Sequence, residues 1–412
     1  MSETSLYRDL AAMEPLFPEA DITHLEGLAA LLINKAKTLE GNLHLSTRHA
    51  VVELLKPMNS YYSNLIEGHD TNPIDIENAL NNNYSTNKEK RNLQIEAYAH
   101  IKTYEYIADQ ILIANTPPCG IDFIKKLHYE FYKNLPEEFL NAHSTDGVER
   151  KVIPGEFRSA EVIVGRHVAP AHDHVTAFME KFESKYSTLF ASKNNTHRVI
   201  SIAAAHHRLA WIHPFLDGNG RVVRLFSDAC FMNEDLHADG LWSISRGLAR
   251  NNSNYKQLLA NADHHRINDY DGHGNLSNRY LIEFIEYFLS TAIDQLTYMN
   301  SVLELDVLYN RTEYLCNLLI ANKTFRVESK YILLDLFAKG KLSKVDAMRI
   351  TNLSDKTLKL VVDKLVELQL LRIGKEGVMV YYYPKYPVAY SPYLFPGLFP
   401  ASKEAEMIEG SN

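Results

Sequence analysis

One twelve-residue segment constrains this chain more than any other: His213-Pro214-Phe215-Leu216-Asp217-Gly218-Asn219-Gly220-Arg221-Val222-Val223-Arg224. An apolar helical run from about Asn195 to Ile212 leads into it, and a second helix beginning near Gly220 carries Val222 to Phe231. The chain therefore has to turn sharply between two helices, and the glycines on either side of Asn219 permit the positive φ that such a turn needs. Successive N–H groups in a turn of this kind form an anion nest, to which the following helix adds its positive end. Asp217 enters the turn as a hard oxygen ligand, suited to a magnesium ion that bridges phosphate oxygens. Arg221 and Arg224 lie three residues apart, so they share nearly one helix face, and guanidiniums match phosphate geometry and stay charged. His213 stands where helix meets turn. An imidazole there can take the proton of an attacking hydroxyl, a role worth roughly 10²- to 10⁴-fold in rate. These are the parts needed to hold a nucleotide polyphosphate and move one of its phosphoryl groups. No Gly-Lys-Ser/Thr follows, so the segment is not a Walker A loop. A helix rather than a strand precedes it, so it is not a dinucleotide fingerprint.

The surrounding sequence predicts a mainly α protein with a small β-hairpin and a helix-turn-helix module at its end. A length of 412 residues implies two or three domains, and 46% hydrophobic with 23% charged residues is ordinary for a globular protein. A net charge of −8 argues against the whole molecule as a general polyanion binder. Three distant cysteines, Cys119, Cys230 and Cys316, give neither a disulfide framework nor a thiolate zinc site, which favours a reducing compartment. MSETSLYRDLAAMEP has no apolar signal core and no run is long enough to span a bilayer, so a cytoplasmic protein without membrane partners is expected.

Residues 22–110 read mostly as helix, with Leu25, Leu28, Leu31, Leu32 and Ile33 at helical spacing, Pro57 interrupting or kinking a second run that begins at Val51, a helix at about 55–68, and a polar loop at Asn81–Lys90. Between Val152 and Pro170 a short β-branched stretch bounded by glycine predicts a hairpin, the only β-structure expected in the first three hundred residues. Leu281 to Leu319 reads as a helical connector. After it come helices at Ile332–Phe337 and Leu342–Ile350, a tight Thr351-Asn352 turn and a helix capped by Ser354 that ends near Leu370. Leu371-Arg372-Ile373, a turn at Gly374–Gly377 and Val378–Tyr383 complete a winged helix-turn-helix. The expected division is 1–110 (N-terminal helical region), 111–275 (core), 276–324 (connector), 325–390 (winged helix) and 391–412 (extended or disordered tail).

The segment His213–Arg224 resembles the signature of the Fic (filamentation induced by cAMP) domain family, matching it at His213, Phe215, Asp217, Gly218, Asn219, Gly220, Arg221 and Arg224. The likeness takes in Ala205-His206, the hairpin from Gly155 to Gly165, and Tyr255–Asp263 with Gly274-Asn275-Leu276, covering roughly residues 50–290. The resemblance implies an all-helical core that transfers AMP from ATP to a Tyr, Thr or Ser hydroxyl of a protein, itself included. It makes His213 the base, Asp217 the Mg²⁺ ligand, the Gly218-Asn219-Gly220 backbone the cradle of the α- and β-phosphates, and Arg221 and Arg224 the ligands of the outer phosphates. It makes the hairpin a target-docking flap, in which Val162 and Ile163 align a target backbone by strand addition. Tyr255 packs near adenine or in the core. Ser63-Asn64-Leu65-Ile66-Glu67-Gly68 resembles the family's inhibitory motif, Ser/Thr-x-x-x-Glu-Gly/Asn. In that reading Glu67 pairs with Arg224 in place of the γ-phosphate and spoils the pose of ATP, where an error of about 1 Å can cost on the order of 10²-fold. The same glutamate in relatives supports AMP removal, so inhibition and reversal both stay open. The plain alternative is an amphipathic helix that ends at a glycine.

Eighteen histidines raise the question of a metal hydrolase. Catalytic zinc needs three convergent ligands and no HExxH is present, so His206 is expected to pack beneath the loop and Asp263–Asp271 to form a surface loop. From Arg326 to Lys385 there are 12 Lys plus Arg against 7 Asp plus Glu, a local cation excess of the kind that contacts nucleic acid. The presumed recognition helix carries Lys356, Thr357, Lys359 and Lys364 beside Asp355, Asp363 and Glu367, with Arg372 and Lys375 flanking the wing. DNA contact and protein contact, including a homodimer, are both open. The leading functional class is an AMP-transferring enzyme. The alternatives are a DNA-binding regulator whose core senses nucleotide, and a metal-dependent phosphohydrolase.

Overall fold

The computed structural model describes residues 6–20, 22–41, 44–143, 147–165 and 167–411; residues 1–5, which open the segment read for a signal core, lie outside that set. Helix α1 (Thr23–Gly41) buries Leu25, Ala29, Leu32, Ala36 and Leu39, a single stripe at spacings of three and four. Helix α2 (Leu45–Ile66) runs through Pro57 without a break, contrary to the expected interruption. Proline there removes one ladder bond, a cost of about 3 kcal/mol. Burial of Leu54, Leu55, Met58, Tyr61 and Tyr62 around it outweighs that cost. Helix α3 (Pro73–Leu80) starts with Asn72 as cap and proline in its first turn, and α4 (Lys88–Ala108) is capped by Asn87 and runs into a π-helical turn at Asp109–Ile113. Helix α5 (Ile121–Tyr132) follows the Pro117-Pro118 pair.

Two hairpins come next, not one. Strands β1 (Asn141–His143) and β2 (Glu149–Lys151) pair antiparallel, as do β3 (Ile163–Val164) and β4 (His167–Val168). The first escaped the sequence reading because its residues are mostly polar and exposed and show no apolar alternation. Helices α6 (Val175–Phe190), α7 (Asn195–Ile212), α8 (Asn219–Asn233), α9 (Ile244–Arg250), α10 (Asn252–Asn261) and α11 (Asn278–Val302) complete the central body. Helix α7 is buried on nearly all sides, against α1, α6, α8 and α11, as an all-round apolar helix must be. The His213–Arg224 segment is therefore carried by the two most enclosed helices of the chain, α7 and α8.

Beyond α12 (Leu305–Ala321) the order is α13 (Val327–Lys339), β5 (Leu342–Ser343), α14 (Lys344–Thr351), α15 (Asp355–Glu367), β6 (Leu371–Glu376) and β7 (Met379–Pro384), with sheet order β5-β7-β6. The turn is shorter than expected: Gly374 lies in the ladder opposite Tyr381, and the chain reverses at Gly377, whose φ is +60°. The tail is neither extended nor disordered across its length. Helices α16 (Ser391–Leu394) and α17 (Ala401–Ser411) fold back onto the body, and Leu394, Phe395, Leu398, Phe399 and Met407 are buried. Its proline and aromatic residues read locally as a loop, but their partners lie far off in sequence, in α12 and, more than three hundred residues away, in α2. Among the described residues no helix is long and apolar enough to cross a membrane.

Candidate active site

His213 closes α7 with φ +50° and ψ +61°, a left-handed conformation uncommon outside glycine. Arg158 holds it there. Its Nε donates to the His213 carbonyl at 2.9 Å, its backbone N–H to the Pro214 carbonyl at 2.9 Å, and its guanidinium also reaches the carbonyls of Ala160 and Pro170. One buried arginine thus joins the turn to both ends of the 160–170 segment. Burial lowers its pKa to about 10, so it remains charged at neutral pH. The half-buried His213 has its own pKa lowered to about 4, by burial first and then by its neighbours His167 and Arg158. Its imidazole is therefore neutral at pH 7 and has a lone pair to offer.

The turn itself is tied by Asn219, whose Oδ1 accepts from the Phe215 N–H at 2.9 Å while its Nδ2 donates to the Phe215 carbonyl at 2.8 Å. Gly218 has φ +78°, and a Cβ there would meet the Tyr132 ring at 2.5 Å, so only glycine fits. Helix α5 props the turn from below. The Tyr132 hydroxyl donates to Asp217 Oδ2 at 2.8 Å. His128 stacks between Phe215 and Tyr132, with centroids 4.1 and 4.5 Å away. Its Nδ1 accepts from the Gly155 N–H at 2.8 Å, so Nε2 carries the proton and donates to the Asp217 carbonyl at 3.2 Å. Burial lowers the His128 pKa to about 4, which keeps that tautomer neutral. Asp217 is left as an exposed, oriented carboxylate beside the glycine turn, a donor set that fits Mg²⁺ sharing its remaining positions with substrate oxygens.

Arg224 is 1% exposed. Its Nε donates to Ser63 Oγ at 3.0 Å, and its Nη2 donates to the Ser63 carbonyl at 2.9 Å and to Glu67 Oε1 at 2.7 Å. Glu67 caps the end of α2, and a Cβ on Gly220 would run into its Oε1. The carboxylate thus lies on the first turn of α8, where free N–H groups and the helix dipole attract anions. Burial tends to raise the Glu67 pKa, but Arg224, Arg221 and Lys256 outweigh it and lower the value, so the group is charged at neutral pH. Arg221, expected at the outer phosphates, is engaged with Glu96, a carboxylate that is 0% exposed. His69 completes the group, with Nδ1 at 2.7 Å from Glu96 Oε2 and 3.1 Å from Arg221 Nη2.

Tyr255, expected near adenine or in the core, is buried in the core with 4% of its surface exposed. Ser227 Oγ donates to the Val223 carbonyl, so it accepts from His206 Nδ1 at 2.7 Å, and His206 Nε2 in turn accepts from the Tyr255 hydroxyl at 2.8 Å. His206 is thus a packing residue, buried and satisfied. Of the Asp263–Asp271 stretch, residues 264–270 are exposed as a surface loop requires, whereas Asp263 is drawn inward by His207 at 3.1 Å and His167 at 3.5 Å. Among the described residues no three His, Cys, Asp or Glu side chains gather to hold a metal ion. In the second hairpin Val162 points inward, while Ile163 is 48% exposed. The sequence reading missed Arg158, Glu96, His69, His128 and Tyr132. Glu96 did leave a trace: a carboxylate set among Ala97, His100 and Ile101 on the buried side of α4 needs a cation partner.

Residues 118–230 match the Fic/DOC family, and the chain carries a domain of that family. A stretch of 78 residues, 19% of the chain, is 41% identical to Protein adenylyltransferase Fic of Drosophila grimshawi and of Drosophila willistoni. The match spans only 16% and 15% of those relatives' lengths. Among solved structures, a Fic family protein from Desulfovibrio desulfuricans aligns with a TM-score of 0.51 and 16% identity over 90% of this chain and 98% of that one. A Fic domain containing signaling protein from Bacteroides thetaiotaomicron aligns at 0.50 and 23% identity, over 66% of this chain and 95% of its own. Fic-1 of C. elegans aligns at 0.50 and 14% identity, over 68% of this chain and 72% of its own. These likenesses establish a shared, mainly helical fold.

Proposed function

We propose that the chain transfers AMP from magnesium-ATP to a Tyr, Thr or Ser hydroxyl of a protein target, and that Glu67 restrains the transfer. The observation that carries this reading is the convergence on one turn of a neutral imidazole, an oriented carboxylate, a glycine-lined helix start and a buried arginine whose partner is a carboxylate. The adenylyltransferase relatives support the choice of group transferred. His213 accepts the proton of the attacking hydroxyl as its oxygen bonds to the α-phosphorus. The bond to the β-phosphate oxygen breaks and pyrophosphate leaves. Backbone N–H groups from Gly218 to Gly220 and the start of α8 hold the phosphates, and Arg224 receives the outermost once Glu67 withdraws. Asp217 would hold Mg²⁺, which when bound offsets phosphate charge. The exposed edge at Ile163 would align an extended target segment. The same reading gives Glu67 a second outcome, support of AMP removal from a modified target.

The test is intact-mass analysis after incubation with ATP and magnesium. Glu67→Gly is expected to raise AMP incorporation by about 10²-fold, and His213→Ala in that background to abolish it. Equal incorporation by wild type and Glu67→Gly would overturn the restraint. A second reading rests on the C-terminal element order of helix, strand, helix, helix and hairpin, which we read as a winged helix. In that reading the module contacts DNA and the core reports nucleotide to it.

A further inference from the structure

We infer that the segment from Pro387 to Ser411 is a clamp on α2 that keeps Glu67 on Arg224; this rests on the restraint proposed above. Helix α2 ends between two bodies. One side of its last turns, Ser63 and Glu67, meets Arg224. Tyr61 and Tyr62, just before, meet the tail. The buried Tyr62 hydroxyl donates to the Leu398 carbonyl at 3.0 Å, and the Tyr61 ring stands edge-on to Phe399 at 5.8 Å. The chain that leaves α2 is held as well: Lys403 pairs with Asp70 at 3.2 Å, and Glu77 accepts from the Val388 N–H at 3.1 Å.

The tail is anchored independently of α2. Arg246 of α9 donates to the carbonyls of Leu398 and Gly397 at 3.3 and 2.5 Å, so the Leu398 carbonyl is a joint shared by the catalytic body and the Glu67 helix. Leu398 and Phe399 are buried beneath it. At its other end the tail continues directly from β7, and the first turn of α2 packs its His44 ring against Gly340, at the end of α13. Helix α2 is therefore gripped at both ends by the C-terminal part of the chain. Withdrawal of Glu67 through a shift of the last turns of α2 breaks the Tyr62–Leu398 bond and unpacks Tyr61 from Phe399. A partner that pulls on the C-terminal module thus acts on the site without touching it.

The experiment uses the full chain. Phe399→Ala and Tyr62→Phe, each alone, are expected to raise AMP incorporation about tenfold, and neither should add to the rate of Glu67→Gly. In Phe399→Ala, amide hydrogen exchange should quicken across residues 60–68 and stay unchanged in α7, which separates a released clamp from a misfolded chain. Wild-type incorporation by both variants, alongside a raised rate in Glu67→Gly, would overturn the clamp alone. An additive increase in the Glu67→Gly background would overturn it too, since the tail would then act elsewhere. No gain in Glu67→Gly itself would instead remove the restraint, and the clamp with it.

Discussion

His213 ends a helix in a conformation most residues avoid, next to a guanidinium and a second histidine. Both neighbours penalise its protonated form, and burial penalises it more, so the base form exists from high pH down to about 4. With Glu67→Gly as the active form, kcat/KM for AMP transfer should stay flat from pH 8 to about pH 5.5 and halve near pH 4. A free histidine would halve it near 6.5. Initial rates across that range check the prediction, and a midpoint near 6.5 would mean that the site does not keep His213 buried during turnover. The motif's chemistry was legible because it is packed into twelve consecutive residues. Its supports were not. Arg158 lies 55 residues from His213, Tyr132 lies 85 from Asp217, and Glu96 lies 125 from Arg221, so no local pattern links them. For the same reason the pairing of Arg221 with Glu96 went unread: a lone arginine on a helix gives no sign of a buried carboxylate waiting on another.

At the scale of elements, Arg158 is the fastener between the α7–α8 turn and the hairpin segment. Arg158→Met keeps much of the side-chain volume and removes the guanidinium donors, leaving the carbonyls of His213, Ala160 and Pro170 buried without them. A loss of about 3 kcal/mol is expected in urea titration. In the Glu67→Gly background kcat should fall by about 10²-fold through misplacement of His213, with little change in KM for ATP. The phosphate cradle is fixed separately, by Asn219 and Tyr132. A parallel rise in KM would count against that division of labour. Helix α7 was legible to its ends because it is apolar on nearly every side and runs straight into the His213-Pro214 turn. Pro57 and the tail misled for a shared reason: propensity speaks for the isolated segment, and both segments are held by burial against distant ones.

Over the whole molecule the cation excess of the C-terminal module changes meaning. Among the described residues, all seven carboxylates between Arg326 and Lys385 sit in ion pairs, Lys359 with Asp363 and Lys364 with Glu367 among them. The outward face of α15 also presents Leu360 at 64% exposure. If the module contacts DNA as in the second reading, the contact falls chiefly to Lys356, Arg372 and Lys375. With so few phosphate contacts, duplex retention should be weak, confined to low salt and lost in Lys356→Glu/Lys375→Glu. Mobility shifts at stepped salt concentrations check this, and absence of any shift by the wild type at low salt would exclude the regulator reading. The contact between Glu67 and Arg224 has a bearing at this scale as well. Both partners belong to one chain, so dilution does not separate them as it would an inhibitor from its enzyme. Occupancy of Arg224 by that carboxylate is an intramolecular equilibrium, the same in a cell holding ten copies as in one holding ten thousand. Only an agent that binds differently when Glu67 is on Arg224 and when it is off can shift it.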